Sequence, residues 1–209
     1  MLTGFTAGLL LITISELGDK TFFIGAILAM RHPRRWVFIG VTLALFLMTV
    51  LSVLLGKTVS ILPQYYVEIA TIVLFLGFGF KLIYDASRIS PDVGLDDEEK
   101  EAEAEVNQKD HLAANASIVS IIVKAFTLTF VAEWGDRTQF ATITLAANQD
   151  TIGVILGATL GHAICAVIAV MCGKLIAGRI SERWLTFFGG ALFVLFGVVA
   201  AFQAFPLSR

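Results

Sequence analysis

A chain of 209 residues in which 57% are hydrophobic, with a mean hydropathy of +0.83, exceeds the roughly 45–50% apolar content of soluble domains, and a water-soluble fold of this size is excluded. The net charge of −2 is nearly balanced but uneven, because nine of the 17 acids crowd into the stretch from Asp92 to Asp110. That stretch cannot sit in lipid, and no nucleic-acid partner is expected.

Crossing a hydrocarbon core of about 30 Å takes about 20 apolar residues, and six such runs follow one another, near 3–30, 36–56, 66–84, 118–147, 152–173 and 184–205. They predict an all-α membrane protein of six transmembrane helices. The first run has neither the basic region nor the cleavage site of a signal peptide, so Met1 onward reads as the start of a spanning helix. It carries Ser15-Glu16-Leu17-Gly18-Asp19-Lys20-Thr21 near its middle. The acidic segment after the third run, over 91–117, reads as a solvated connector, partly helical, with no site residues. The fourth run carries Ala132-Glu133-Trp134-Gly135-Asp136-Arg137-Thr138-Gln139. In the fifth, His162, Cys165 and Cys172 share a helix face, which invites a soft-metal site; a packed surface with buried apolar thiols is the simpler expectation. Gly77, Gly79, Gly189, Gly190 and Gly197 in the third and sixth runs predict close helix packing.

Sliding the chain over itself by 117 residues aligns Glu16 with Glu133, Gly18 with Gly135, Asp19 with Asp136 and Thr21 with Thr138. The register continues without a gap through Gly40/Gly157 and Gly56/Gly173 to Lys57/Lys174. Residues 1–90 and 118–209 are therefore two copies of one three-helix unit, joined by the linker. Three spans per unit force the second copy to enter the membrane upside down, the inverted-repeat design of many secondary transporters. Loop charges set the orientation: Arg31, Arg34, Arg35, Lys174, Arg179 and Arg183 share a side with the linker, and only Lys57 and Arg209 lie opposite. The positive-inside rule then places the linker in the cytoplasm and both termini outside.

Outside the linker eight acids remain. Four of them, Glu16, Asp19, Glu133 and Asp136, fall near the middle of the first and fourth runs, each pair followed by Lys20 or Arg137. At about +2.5–3.5 kcal/mol per charge, six such residues left unpaired would cost about 15–21 kcal/mol, so they must face one another, water or an ion. Glu and Asp at i and i+3 share a helix face, and inversion would bring the two faces together at the midplane. Gly18 and Gly135 allow close backbone approach or an opened helix whose carbonyls serve as ligands. Ser15, Thr21, Thr138 and Gln139 add neutral oxygens, and the whole set suits a hard cation such as Mn²⁺, Ca²⁺ or Mg²⁺. Lys20 and Arg137 are charge partners. If all are ionised, the six groups sum to −2, which one divalent cation or two protons neutralise, and burial favours the protonated form where metal is absent. The plain alternative is that the acids only lock helices together through Lys20 and Arg137.

The segments SELGDKT and AEWGDRT resemble the doubled E-x-G-D-(K/R)-(T/S) signature of the GDT-type family, also called uncharacterised protein family 0016. The likeness extends over nearly the whole chain, most closely to bacterial and cyanobacterial members, which include a manganese exporter. It implies a secondary transporter exchanging Mn²⁺ or Ca²⁺ for protons in a plasma or thylakoid membrane, not an enzyme, with no resident cofactor. It also implies metal ligands at Glu16, Asp19, Glu133 and Asp136. Manganese as first substrate rests on the resemblance alone. Two other readings remain: a passive cation channel, since a ring of acids also selects cations, and, remotely, an intramembrane aspartyl protease built on Tyr84-Asp85 and Gly135-Asp136.

Overall fold

The structure is a computed structural model that describes residues 1–89, 96–109, 116–177 and 181–205. Asp92, Asp110, Arg179, Arg209 and the side chain of Lys174 lie outside the described residues. The described part is entirely helical: α1 (Leu2–Glu16), α2 (Lys20–Arg31), α3 (Arg34–Val59), α4 (Gln64–Arg88), α5 (Asp96–Lys109), α6 (Ile118–Ala132), α7 (Arg137–Asn148), α8 (Thr151–Ala177) and α9 (Glu182–Ala204).

The first and fourth apolar runs are each broken where a single helix was expected. Gly18 at φ 78° and Gly135 at φ 85° are the two positive-φ residues among those described, a conformation that costs other residues a Cβ clash with the following carbonyl. The second break bends α6 against α7 by 78°. The next turn is built differently in the two copies. Pro33, whose φ is fixed near −58°, closes the turn between α2 and α3. At the equivalent position Asp150 Oδ2 accepts a hydrogen bond from Gly153 N at 2.8 Å and starts α8.

Helix neighbours pair by the 117-residue offset: α1 packs along α8 as α6 packs along α3, α2 touches α8 as α7 touches α3, and α4 lies along its own counterpart α9. Close approach is symmetric as well. A Cβ on Gly40 would strike the carbonyl oxygen of Ile122, and a Cβ on Gly157 that of Phe5. These pairs are one contact repeated, with the partners exchanged, as an inverted-repeat arrangement requires.

Among the described residues four helices are long and apolar enough to cross a bilayer: Arg34–Val59, Gln64–Arg88, Thr151–Cys172 and Arg183–Ala204. The bent pair α6/α7 makes a fifth span if counted as one, and Leu2–Glu16 is apolar but shorter. Fewer helices than the expected six qualify because the glycine breaks shorten those carrying the motif. Large apolar side chains such as Leu54, Val73, Phe80, Leu195 and Phe202 are exposed along these helices, where a bilayer covers them. Exposed Tyr65, Tyr66 and Trp184 sit at helix ends, the level at which amphipathic rings meet headgroups.

The linker departs from expectation most. Within it α5 is docked on α2, burying Ala102 and Val106 completely in a cluster with Phe22, Leu28, Ile121 and Leu128. Lys20 Nζ meets Glu105 Oε2 at 2.8 Å, Arg31 donates to Asn107 Oδ1, and Lys124 donates to the Lys109 carbonyl at 2.5 Å. The solvated connector is in part an amphipathic helix held at three points.

Candidate metal centre

Each copy of the motif joins two helix ends. Glu16 is the last residue of α1, Gly18 turns the chain, and Asp19 occupies the N-cap of α2. In the second copy Glu133 is the C-cap of α6, Gly135 turns the chain, and Asp136 caps α7. In the first copy the two carboxylates therefore converge across a break in the helix, which replaces the shared helix face expected from their spacing. Four helix termini meet here, leaving carbonyls of α1 and α6 and N–H groups of α2 and α7 without partners in their own helices.

Carboxylate oxygens of Glu16, Asp19 and Glu133 all lie within 4.8 Å of one another. Glu16 is 2% and Glu133 1% exposed. Thr21 Oγ1 donates to Glu16 Oε2 at 3.3 Å and also interacts with Glu133, while Thr138 interacts with Glu16. Oε1 of both glutamates and Oγ of Ser15 are buried without a hydrogen-bond partner. An unsatisfied buried carboxylate oxygen is expensive, and a cation held between the two glutamates would satisfy both. The donor set is all oxygen, so it fits a hard divalent ion.

The remaining motif residues divide. Arg137 reaches across the repeats to Asp19 Oδ1 at 3.1 Å and toward the Ser15 carbonyl at 3.5 Å. Asp136 instead accepts from Thr138 N at 3.1 Å and Thr138 Oγ1 at 3.0 Å, and stands outside the three-carboxylate group. Gln139 accepts from Gly135 N at 2.8 Å and donates to Met48 Sδ, which braces the second break. Lys20 turns away to Glu105, so the charge sum of −2 that counted it as a partner does not describe the centre. Glu16, Asp19, Glu133 and Asp136 with Arg137 alone carry a formal −3.

His162 and Cys165 are buried, Cys165 Sγ donating to the Thr13 carbonyl at 3.4 Å, whereas Cys172 is exposed. They do not form one soft-metal site, and Cys172 is not the buried thiol expected of it. Tyr84 is 55% exposed with Arg88 stacked 4.7 Å from its ring, and its neighbour Asp85 is not part of the clustered carboxylate group.

The match to the model of the family "Divalent cation/proton antiporter GDT1" spans residues 4–90 and 121–207, and the two segments are offset by the same 117 residues that relate the motifs. The chain belongs to the GDT1 family. It is 57% identical over 200 residues to the GDT1-like protein sll0615 of Synechocystis, covering 96% of this chain and 97% of that one. It is 41% identical to GDT1-like protein 3 of Oryza sativa subsp. indica, covering 94% and 72%, and 41% identical to the chloroplastic PAM71-homolog of Arabidopsis thaliana, covering 97% and 60%. No solved structure matches the chain. Membership in a family of antiporters supports a transport role in a membrane and not an enzymatic one.

Two cavities open toward opposite ends of the helices, and only the smaller is lined by motif residues. One of about 650 Å³ opens on the side of Met1 between α1, α4, α7 and α9, with Thr6, Glu68, Thr71, Thr144 and Asn148 among its lining. The other, about 50 Å³, lies on the linker side against Ser15, Gly18, Asp19 and Arg137, and Glu98 of α5 closes it. Reasoning from sequence missed Glu98. The available signal was Ala102 and Val106, four residues apart in an otherwise charged stretch, which is the spacing of a docking stripe.

Proposed function

We propose that this chain is a secondary active transporter that exchanges a divalent metal cation, Mn²⁺ first and Ca²⁺ second, for protons. Its site is formed by Glu16, Asp19, Glu133 and Asp136 at the midplane of two inverted three-helix repeats, residues 1–90 and 118–209. In this reading each glycine-broken pair counts as one span, which makes six, with the linker in the cytoplasm and both ends outside. The membrane is a bacterial or cyanobacterial plasma membrane, or a thylakoid membrane.

The observation that carries the proposal is the buried group of three carboxylates drawn from both repeats, with two orphaned oxygens. At 4.8 Å and an effective dielectric of about 20, each ionised pair repels by roughly 3–4 kcal/mol. One Arg137 guanidinium offsets only part of this. A divalent cation or protons relieve the remainder, and because both bind the same oxygens they compete. That competition is what couples their opposite movements. Breaks at Gly18 and Gly135 give each half-helix a hinge beside the ligands, a feature of transporters whose sites lie at discontinuous helices.

The test is metal uptake with simultaneous internal pH in proteoliposomes under an imposed pH gradient, comparing wild type with Glu16→Gln and Asp136→Asn. Proton flux coupled to Mn²⁺ or Ca²⁺ and lost in both variants supports the exchanger and its ligands. Metal flux indifferent to the pH gradient makes the protein a channel, and coupled flux retained in both variants removes the acids from the site.

A further inference from the structure

The two repeats surround the centre symmetrically, but the cavities on its two sides are unequal, and the difference is filled by a helix with no counterpart. Shifting the lining of the open cavity by 117 residues carries Asn148 to Arg31, Ala7 to Lys124, Thr144 to Ile27 and Val199 to Leu82. Two of these counterpart positions hold α5: Arg31 through Asn107 and Lys124 through the Lys109 carbonyl. The helices agree. On the open side α4 lies against α7, with Asn148 Nδ2 donating to Thr71 Oγ1 at 2.8 Å. Their counterparts α9 and α2 scarcely meet, and α2 is covered by α5 instead. The linker helix therefore occupies the linker-side equivalent of the open vestibule.

At its inner end α5 presents Glu98 to the small cavity shared by Asp19, Arg137, Ser15 and Gly18, with Leu185, Thr186 and Gly189 of α9 behind it. Next along the helix toward Lys109, Ala102, Glu105 and Val106 are committed to docking. Glu98 is not in an ion pair with Arg137 or Lys20 among the described contacts, and it stands between the central carboxylates and the linker-side solution. Burial pushes its carboxyl above the usual range, with Glu101 adding to the shift, as expected of an acid turned inward.

We propose that Glu98 is a further cation-contacting residue of the transport route, placed between Asp19 and the linker-side solution, and that α5 is the lid that carries it. The cation passes on this side when α5 lifts, and Glu98 receives or delivers it at Asp19. This rests on the central site proposed above and extends it by one carboxylate and one moving element.

The experiment measures Mn²⁺ flux in membrane vesicles of both orientations. In Glu98→Gln the Mn²⁺ concentration for half-maximal flux from the linker side rises about tenfold, that from the opposite side and the maximal rate change less than twofold, and Glu98→Asp recovers most of the loss. No shift, or an equal shift from both sides, overturns the assignment of Glu98. For the lid, Arg31→Cys with Asn107→Cys is made on a Cys165→Ala, Cys172→Ser background. A short bis-methanethiosulfonate cross-link between the two thiols, verified by loss of free thiol, stops flux, and reductant restores it. Flux through the linked protein at the reduced rate overturns the lid. Glu16→Gln is run alongside: normal transport there refutes the central site, whereas a dead Glu16→Gln beside a silent Glu98→Gln refutes Glu98 alone.

Discussion

The two copies of the motif share their Glu, Gly, Asp and Thr and the position of a base, and differ in what their charges do. In the first, Asp19 is bridged across the repeats by Arg137, and Lys20 leaves the centre for Glu105 of the linker. In the second, Asp136 folds back on Thr138 as a helix cap, and its neighbouring base is the one that crosses. A pseudo-twofold sequence thus yields an asymmetric centre, because the linker helix attaches to one side only. In the proposed exchanger one repeat would rock against the other, and α5, docked on α2, would then mark the linker side as the covered one.

The largest effect that would break this comparison is at the two aspartates. Asp19→Asn removes the partner of a mostly buried guanidinium and should destabilise the protein by roughly 2–3 kcal/mol, below the 3–5 of a fully buried pair. Asp136→Asn keeps a side-chain oxygen able to cap α7, so its stability should change by less than about 0.5 kcal/mol even though metal flux is lost. Thermal unfolding in detergent measures both. Equal losses would mean that the asymmetry between the copies is not present in the working protein.

A smaller effect isolates the turn. At Gly135 a Cβ would meet nothing within 4 Å, so Gly135→Ala tests backbone conformation alone. The left-handed region costs an alanine about 1–2 kcal/mol, and the same change at Gly40, where Ile122 and Ala125 crowd in, acts through packing. If Gly135→Ala leaves both stability and flux intact, the break is not needed in the form seen here.

Much of this arrangement was legible from residue order. The offset of 117 gave the equivalence of the two halves, including Gly40 with Gly157, because charged residues in lipid are too costly to recur in register by chance; that α1 would pack along α8 and α3 along α6 was not legible from it. The identities of the three clustered carboxylates followed from the same cost. What could not be read was direction. Spacing of three between Glu16 and Asp19 fits one helix face, and only a positive φ at Gly18 separates that from two helix ends meeting. Lys20 and Arg137 look interchangeable in sequence, yet one faces the linker and the other the centre, a choice made by α5, whose two apolar contacts are hidden among seven acids.

The smallest prediction concerns the attachment of that helix. Glu105 is resisted by burial, but hydrogen bonds from Lys109 and Lys20 more than offset this and hold its carboxyl below the usual 4.5. Its contribution to docking is therefore present above that value and lost as pH falls through the lowered one. Glu98, raised by burial and by Glu101 against the pull of Arg137 and Lys20, acts with the opposite sign: its contribution is full below 4.5 and fades as pH rises through the raised value. Docking of α5 should then be tightest in mildly acid solution and loosen on both sides. Hydrogen exchange of the α5 amides reads it directly. Because the Lys20 bridge is partly exposed, Glu105→Gln should weaken docking by only about 0.5–1 kcal/mol and erase the acid limb, while Glu98→Gln erases the alkaline one. A single limb that survives both substitutions would place the sensing group elsewhere and detach pH from the linker helix altogether.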